Sequence, residues 1–76
     1  MAKLTARGHR EVARWISDDR EAVLVLRSDG AVLRGFRRRE GGYDYSVWGH
    51  GKPGAPIEAV ERGAARLAER LGMTRA

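Results

Sequence analysis

Arg34, Arg37, Arg38 and Arg39 crowd into positions 34–39 of this 76-residue chain, interleaved with or followed by Phe36, Tyr43, Tyr45 and Trp48. A guanidinium is a planar fork of donors that suits phosphates and stacks on rings. Aromatic side chains beside it can receive bases or ribose. A second basic set, Arg7, Arg10 and Arg14, recurs at intervals of three and four, which on a helix would form one outward stripe. Both sets point to phosphate recognition. The plainer reading of the first set places Phe36, Val47 and one tyrosine in a core while the arginines snorkel along a sheet edge and discourage strand-to-strand aggregation.

Other chemistries find little support. His9 and His50 have no carboxylate or cysteine at ligand spacing, and there are no cysteines to complete a zinc site or a disulfide. Ser17, Ser28 and Ser46 lie in no nucleophile elbow. Asp18, Asp19 and Glu21 fall in one polar connection without calcium-loop spacing. The loop Gly49-His50-Gly51-Lys52-Pro53-Gly54 precedes a helix, but it lacks the Ser or Thr of a phosphate-cradling loop, and Pro53 and Pro56 each remove a backbone donor. The expectation is therefore a protein that is not an enzyme, with no catalytic residues, no metal site and no cofactor.

Fifteen basic residues against ten acidic ones leave a formal charge of +5, and thirteen of the fifteen are arginine. That excess favours polyanionic partners, although a GC-rich genome also writes arginine and alanine freely. No apolar run is long enough to span a membrane. The N-terminal residues lack the apolar core of a signal peptide, since Arg7, His9, Arg10 and Arg14 interrupt them. A cytoplasmic protein is expected.

The elements that must position these residues read as a single α+β domain over 1–76. Thr5 caps a helix over about 5–17, with Val12, Trp15 and Ile16 on one side and Arg7, Arg10 and Arg14 on the other. A strand over 11–17 is the alternative, but it puts arginine and apolar side chains on one face. Three strands follow, over about 22–27, 31–39 and 43–49. The first, Ala22-Val23-Leu24-Val25-Leu26, is continuously apolar and suits a central strand covered on both faces. Ser28-Asp29-Gly30 closes a hairpin in one of two registers: a two-residue turn sets Leu26 opposite Leu33, and a three-residue turn with a Gly30 bulge sets Val25 there. At the next turn, Glu40 opposite Tyr43 would pair Arg39 with Asp44 and put Gly35 under Trp48. A last helix over about 56–71 carries Ile57, Val60, Ala64, Leu67 and Leu71 on one stripe, ends at Gly72, and leaves the final three residues frayed. The fold class expected is a three-stranded antiparallel meander with one N-terminal and one C-terminal helix. The two helices would cover either one sheet face or both.

In order and length these elements resemble a double-stranded-RNA-binding domain, and Gly49-x-Gly51 followed by Ala59 and Ala64-Ala65 leading to Leu71 looks like the end of that family's pattern. The chain departs from the family where a lysine pair should open the last helix, because Pro56, Ile57 and Glu58 stand there. Ser28-Asp29-Gly30 also replaces the family's loop between its first two strands. The sheet and final helix are similar to integrase arm-binding domains, in which a basic sheet enters a major groove. The opening Leu4-Thr5-Ala6-Arg7-Gly8-His9-Arg10 looks like small accessory proteins of actinobacterial phages. The function expected is a small basic nucleic-acid-binding or regulatory protein. Its contacts to DNA or RNA would come from Arg7, Arg10, Arg14, Arg34, Arg37, Arg38, Arg39, Tyr43, Tyr45 and Trp48. The alternative is a protein-interaction module whose partner is a host protein or a second copy.

Overall fold

The structure, a computed structural model, describes residues 9–76. Five strands form one antiparallel sheet: β1 (Glu11–Ser17), β2 (Ala22–Arg27), β3 (Ala31–Arg37), β4 (Tyr43–His50) and β5 (Met73–Arg75). A single helix, α1 (Ile57–Arg70), lies between β4 and β5 in the chain. The strand order is β4-β3-β2-β1-β5, so α1 carries the chain from one sheet edge to the other.

This corrects the expectation of a three-stranded meander flanked by two helices. Residues 11–17 of the expected N-terminal helix form β1, while 5–8 lie outside the described residues. The objection to a strand there was the mixed face. That face is real, and the fold satisfies it. Ala13 and Trp15 point to the helical side and join Leu24, Leu26, Ala64, Ala68 and Met73 in the main core. On the other side, Ile16 packs against Val23 and Val25, and Arg14 is held by partners. Its Nε and Nη2 donate to the Glu11 carboxylate at 3.1 and 3.0 Å, and Nη2 also donates to the Tyr45 hydroxyl at 3.1 Å. The Glu11 bond, with Tyr45 assisting, raises the pKa of Arg14 above its ordinary value. A partnered guanidinium can lie along a sheet that an unpaired one would avoid. Val12 is the extra residue of a bulge, since Glu11 faces Arg27 and Ala13 faces Leu26.

β2 is the central strand, and Val23, Leu24, Val25 and Leu26 are all fully buried. The continuous apolar run was the correct signal, because alternate residues enter two clusters. Leu24 and Leu26 lie under α1, while Val23 and Val25 join Ala31 and Leu33 on the opposite face. The Gly30 turn adopts the three-residue register, with Val25 opposite Leu33 and Gly30 at φ 89°.

An Asp29 clasp holds this hairpin. Its carboxylate accepts from Arg27 Nε and Nη2 at 2.9 and 2.6 Å and from the Ala31 N–H at 3.2 Å. Arg27 is the main reason its pKa lies below the usual carboxylate range. The folded chain therefore binds the Asp29 proton less readily than the unfolded chain. The stabilisation is present above the unfolded carboxylate pKa of about 3.9 and disappears as pH falls below it. Acid unfolding followed by circular dichroism should show a smaller stability loss between neutral and acid pH for Asp29→Asn than for the unmodified chain. Equal losses would remove Asp29 as a contributor.

α1 starts one residue later than expected, with Pro56 at its N-cap, and Gly72 at φ 76° ends it. The tail does not fray. Met73 is buried, and β5 pairs with β1 through Trp15–Arg75, Ile16–Thr74 and Ser17–Met73. No described helix is long and apolar enough to cross a membrane.

Candidate functional site

α1 packs on β1, β2 and β5. Apart from Val32, which packs against the core under α1, the helical side of β3 and β4 is thereby left as an uncovered wing. Antiparallel pairing of Arg34 with Ser46 sets the positions on this wing. Phe36 is two residues along β3, on the same face as Arg34. Trp48 is the extra residue of a bulge, because Leu33 faces Val47 while Val32 already faces Gly49. Two residues beyond Ser46, Trp48 shares the face of Arg34 and so lies over the wing.

The result is an arginine between two rings. The Arg34 guanidinium carbon lies 5.1 Å from the Phe36 ring centre and 4.9 Å from the Trp48 ring centre. Both distances are within cation–π range. Phe36 is 53% exposed and Trp48 50% exposed, so each ring keeps an open surface. Arg34 has no acidic partner among the described residues, and its buried Nε has no hydrogen-bond acceptor.

Beside Trp48, a groove of about 400 Å³ runs between the sheet and α1, lined by Val32, Gly51, Ala59, Val60, Gly63 and Leu67 among others. Small residues on the helix keep it open. Helical spacing puts Arg66 and Arg70 on the same flank of α1 as Ala59 and Gly63. Gly51 allows the loop after β4 to touch α1, since a Cβ there would collide with the Val60 side chain.

The residues expected to act together are divided. Arg34 and Trp48 share the wing. Tyr43, Tyr45 and Arg37 occupy the opposite face, where Gly35 lies under Tyr45 and Arg37 faces Tyr43. The expected Arg39–Asp44 pair and the Gly35–Trp48 stack are both replaced by a register three residues different. The turn spans more residues than expected, with the Arg38 N–H donating to the Gly42 carbonyl at 2.9 Å. Arg38, not Arg39, approaches Asp44, at 3.5 Å, and also bonds Glu40 at 2.9 Å. Tyr43 donates its hydroxyl to the Arg20 carbonyl at 2.9 Å. Arg37 and Arg39 are exposed and lack acidic partners among the described residues. Arg10 is exposed where β1 begins, Arg14 is occupied by Glu11 and Tyr45, and Arg7 lies outside the described residues. The helical arginine stripe therefore does not exist as expected.

Sequence reasoning missed the groove and the role of α1 as its wall. The available signal was the small pair Ala59 and Gly63 on a helix otherwise rich in large polar residues. No group of three or more potential metal ligands occurs among the described residues. Comparison with protein-family models, with curated proteins and with solved structures finds no match to this chain.

Proposed function

We propose that this protein binds single-stranded nucleic acid on the β3–β4 wing. The observation that carries this reading is Arg34, an unpaired cation held between two half-exposed rings. Phe36 and Trp48 offer faces on which unstacked bases can lie, an interaction worth about 1–3 kcal/mol per base. Arg34 is oriented in advance by those rings and has donors free for a phosphate between successive bases. Arg39 in the turn at the end of the hairpin, with Arg66 and Arg70 on the flank of α1, extends the positive surface along a strand's path. The aromatic pair favours single strands, because duplex bases present edges rather than faces. The chain's net positive charge adds long-range attraction.

The test is an anisotropy titration of labelled single-stranded and duplex oligonucleotides at two salt concentrations. Single strands should bind more tightly than duplexes, with log affinity falling by about 0.7 per phosphate contact per log unit of salt. Trp48→Ala should weaken single-strand binding roughly 5- to 100-fold, as loss of one base stack implies, and Arg34→Ala should both weaken it and flatten the salt slope. The reading fails if single strands do not bind at low salt, or if both variants bind as the unmodified chain does.

A further inference from the structure

The strand carrying Trp48 is also a sheet edge, and its outer side has no partner among the described residues. Edges of this kind are normally shortened, charged or interrupted by proline. The opposite edge, β5, is three residues long and bears Arg75. β4 is eight residues long, contains no proline, lysine or arginine, and carries one acid, Asp44. Its exposed apolar residues lie on both faces, with Trp48 on the helical side and Val47, 54% exposed, on the other. A partner resting on either face would cover only one of them. An added strand would reach both.

The direction of the outer backbone groups follows from the inner pairing. Arg38 bonds Gly42, and alternation along the ladder makes Phe36–Asp44 and Arg34–Ser46 the hydrogen-bonded pairs with β3. Tyr43, Tyr45 and Val47 therefore present their N–H and C=O groups outward. A second β4 running antiparallel about a two-fold axis at Ser46 places Tyr45 opposite Val47 of the other copy, joining the outward groups of these two residues in register. The same pairing sets Asp44 opposite Trp48 and puts no two like charges directly across from one another. It also brings Glu40 toward Lys52 of the other copy, opposite charges just beyond the two ends of the strand.

We propose that two copies of this chain pair edge to edge through β4, about Ser46, into one continuous antiparallel sheet. The interface is isologous, as a two-fold dimer requires. Because α1 lies over β1, β2 and β5, no helix obstructs the approach. The two helices stand on the same side with the joined wings between them, forming a trough whose floor carries two Arg34–Trp48–Phe36 sets. The dimer does not depend on nucleic-acid binding, and its test uses none.

The chain has no cysteine, so a single introduced thiol reports on one position. In the proposed register Ser46 faces its own copy as a non-hydrogen-bonded pair, with Cα atoms about 4.5 Å apart, within disulfide range. Under mild oxidation Ser46→Cys should form a linked dimer roughly tenfold or more faster than Thr74→Cys, an exposed position on the β5 edge. Light scattering should give a dimer mass for the unmodified chain and a monomer mass for Val47→Lys with unchanged circular dichroism. A monomer at all concentrations, cross-linking of Ser46→Cys no faster than Thr74→Cys, or faster linking from another β4 position each overturns the proposal.

Discussion

Replacing Trp15 with alanine is expected to destabilise the fold by about 3–5 kcal/mol, the range for removing a large aromatic from a packed core. Trp15 is 4% exposed and reaches from β1 into the cluster that joins Leu24 and Leu26 of β2 to Ala64 and Ala68 of α1. It also carries the tail. Arg75 lies 5.2 Å from its ring centre, and the two residues face each other across the β1–β5 ladder. Emptying this site therefore loosens α1 and β5 together. A chain of this size has a total stability of roughly 4–11 kcal/mol, so the variant should be near the limit of folding. Thermal unfolding should show a midpoint lowered by on the order of 20 °C. Trp48→Ala is the matched control, because its ring is half exposed on the wing, and it should cost about 1 kcal/mol or less. Similar losses at the two tryptophans would contradict the placement of Trp15 in the core.

The second large effect is at Gly35. A methyl group there would lie 2.8 Å from Val23 Cγ2 and 2.8 Å from Tyr45 Cε1. Val23 is fully buried on the central strand and has nowhere to move. Tyr45 could swing outward only by giving up the bond its hydroxyl accepts from Arg14, one of the contacts that let Arg14 lie on that face of β1. Glycine to alanine within a strand is ordinarily favourable by roughly 0.5–1 kcal/mol. Here the crowding should reverse the sign, with Gly35→Ala losing about 1–3 kcal/mol and Gly35→Val losing more. Denaturant unfolding of Gly35→Ala, Tyr45→Ala and the double variant checks the cause. Removing the ring should make the added methyl cheaper, so the double variant should be more stable than the sum of the single effects predicts. Gly49→Ala provides the control, since nothing lies within 4 Å of its added methyl. If Gly35→Ala is as stable as Gly49→Ala, the close packing of Tyr45 over Gly35 is wrong.

These two sites show where sequence reading succeeded and where it stopped. Three strands, the Gly30 turn and the last helix were legible because each is specified by neighbours in the chain. β2 is an unbroken apolar run, Asp-Gly favours a tight turn, and residues 57–71 repeat their apolar positions at helical spacing. The register of β4 was not legible, since Glu40-Gly41-Gly42 is compatible with turns of different length. The choice rests on Tyr45 covering Gly35 and Leu33 facing Val47 across the sheet. Residues 11–17 were misread for a related reason. Val12, Trp15 and Ile16 fit one side of a helix as well as they fit a bulged strand. What favours the strand is Arg14 finding Tyr45 thirty-one positions away and Met73 returning to the edge of β1.

The candidate site followed the same division. The sequence by itself determined an excess of arginine, aromatic residues beside it, and strands on which alternate positions face opposite ways. Only the tertiary structure decided that Tyr43 and Tyr45 leave the group while Phe36 stays with Arg34 and Trp48. A ladder shifted by three residues moves each β4 side chain to the other face relative to its β3 neighbour, which takes Tyr43 and Tyr45 to the face of Gly35 and brings Trp48 to the face of Arg34. The helix determined the rest by packing on β1, β2 and β5. It left the helical side of β3 and β4 beyond Val32 uncovered, and so made a surface of residues that a second covering helix would have buried.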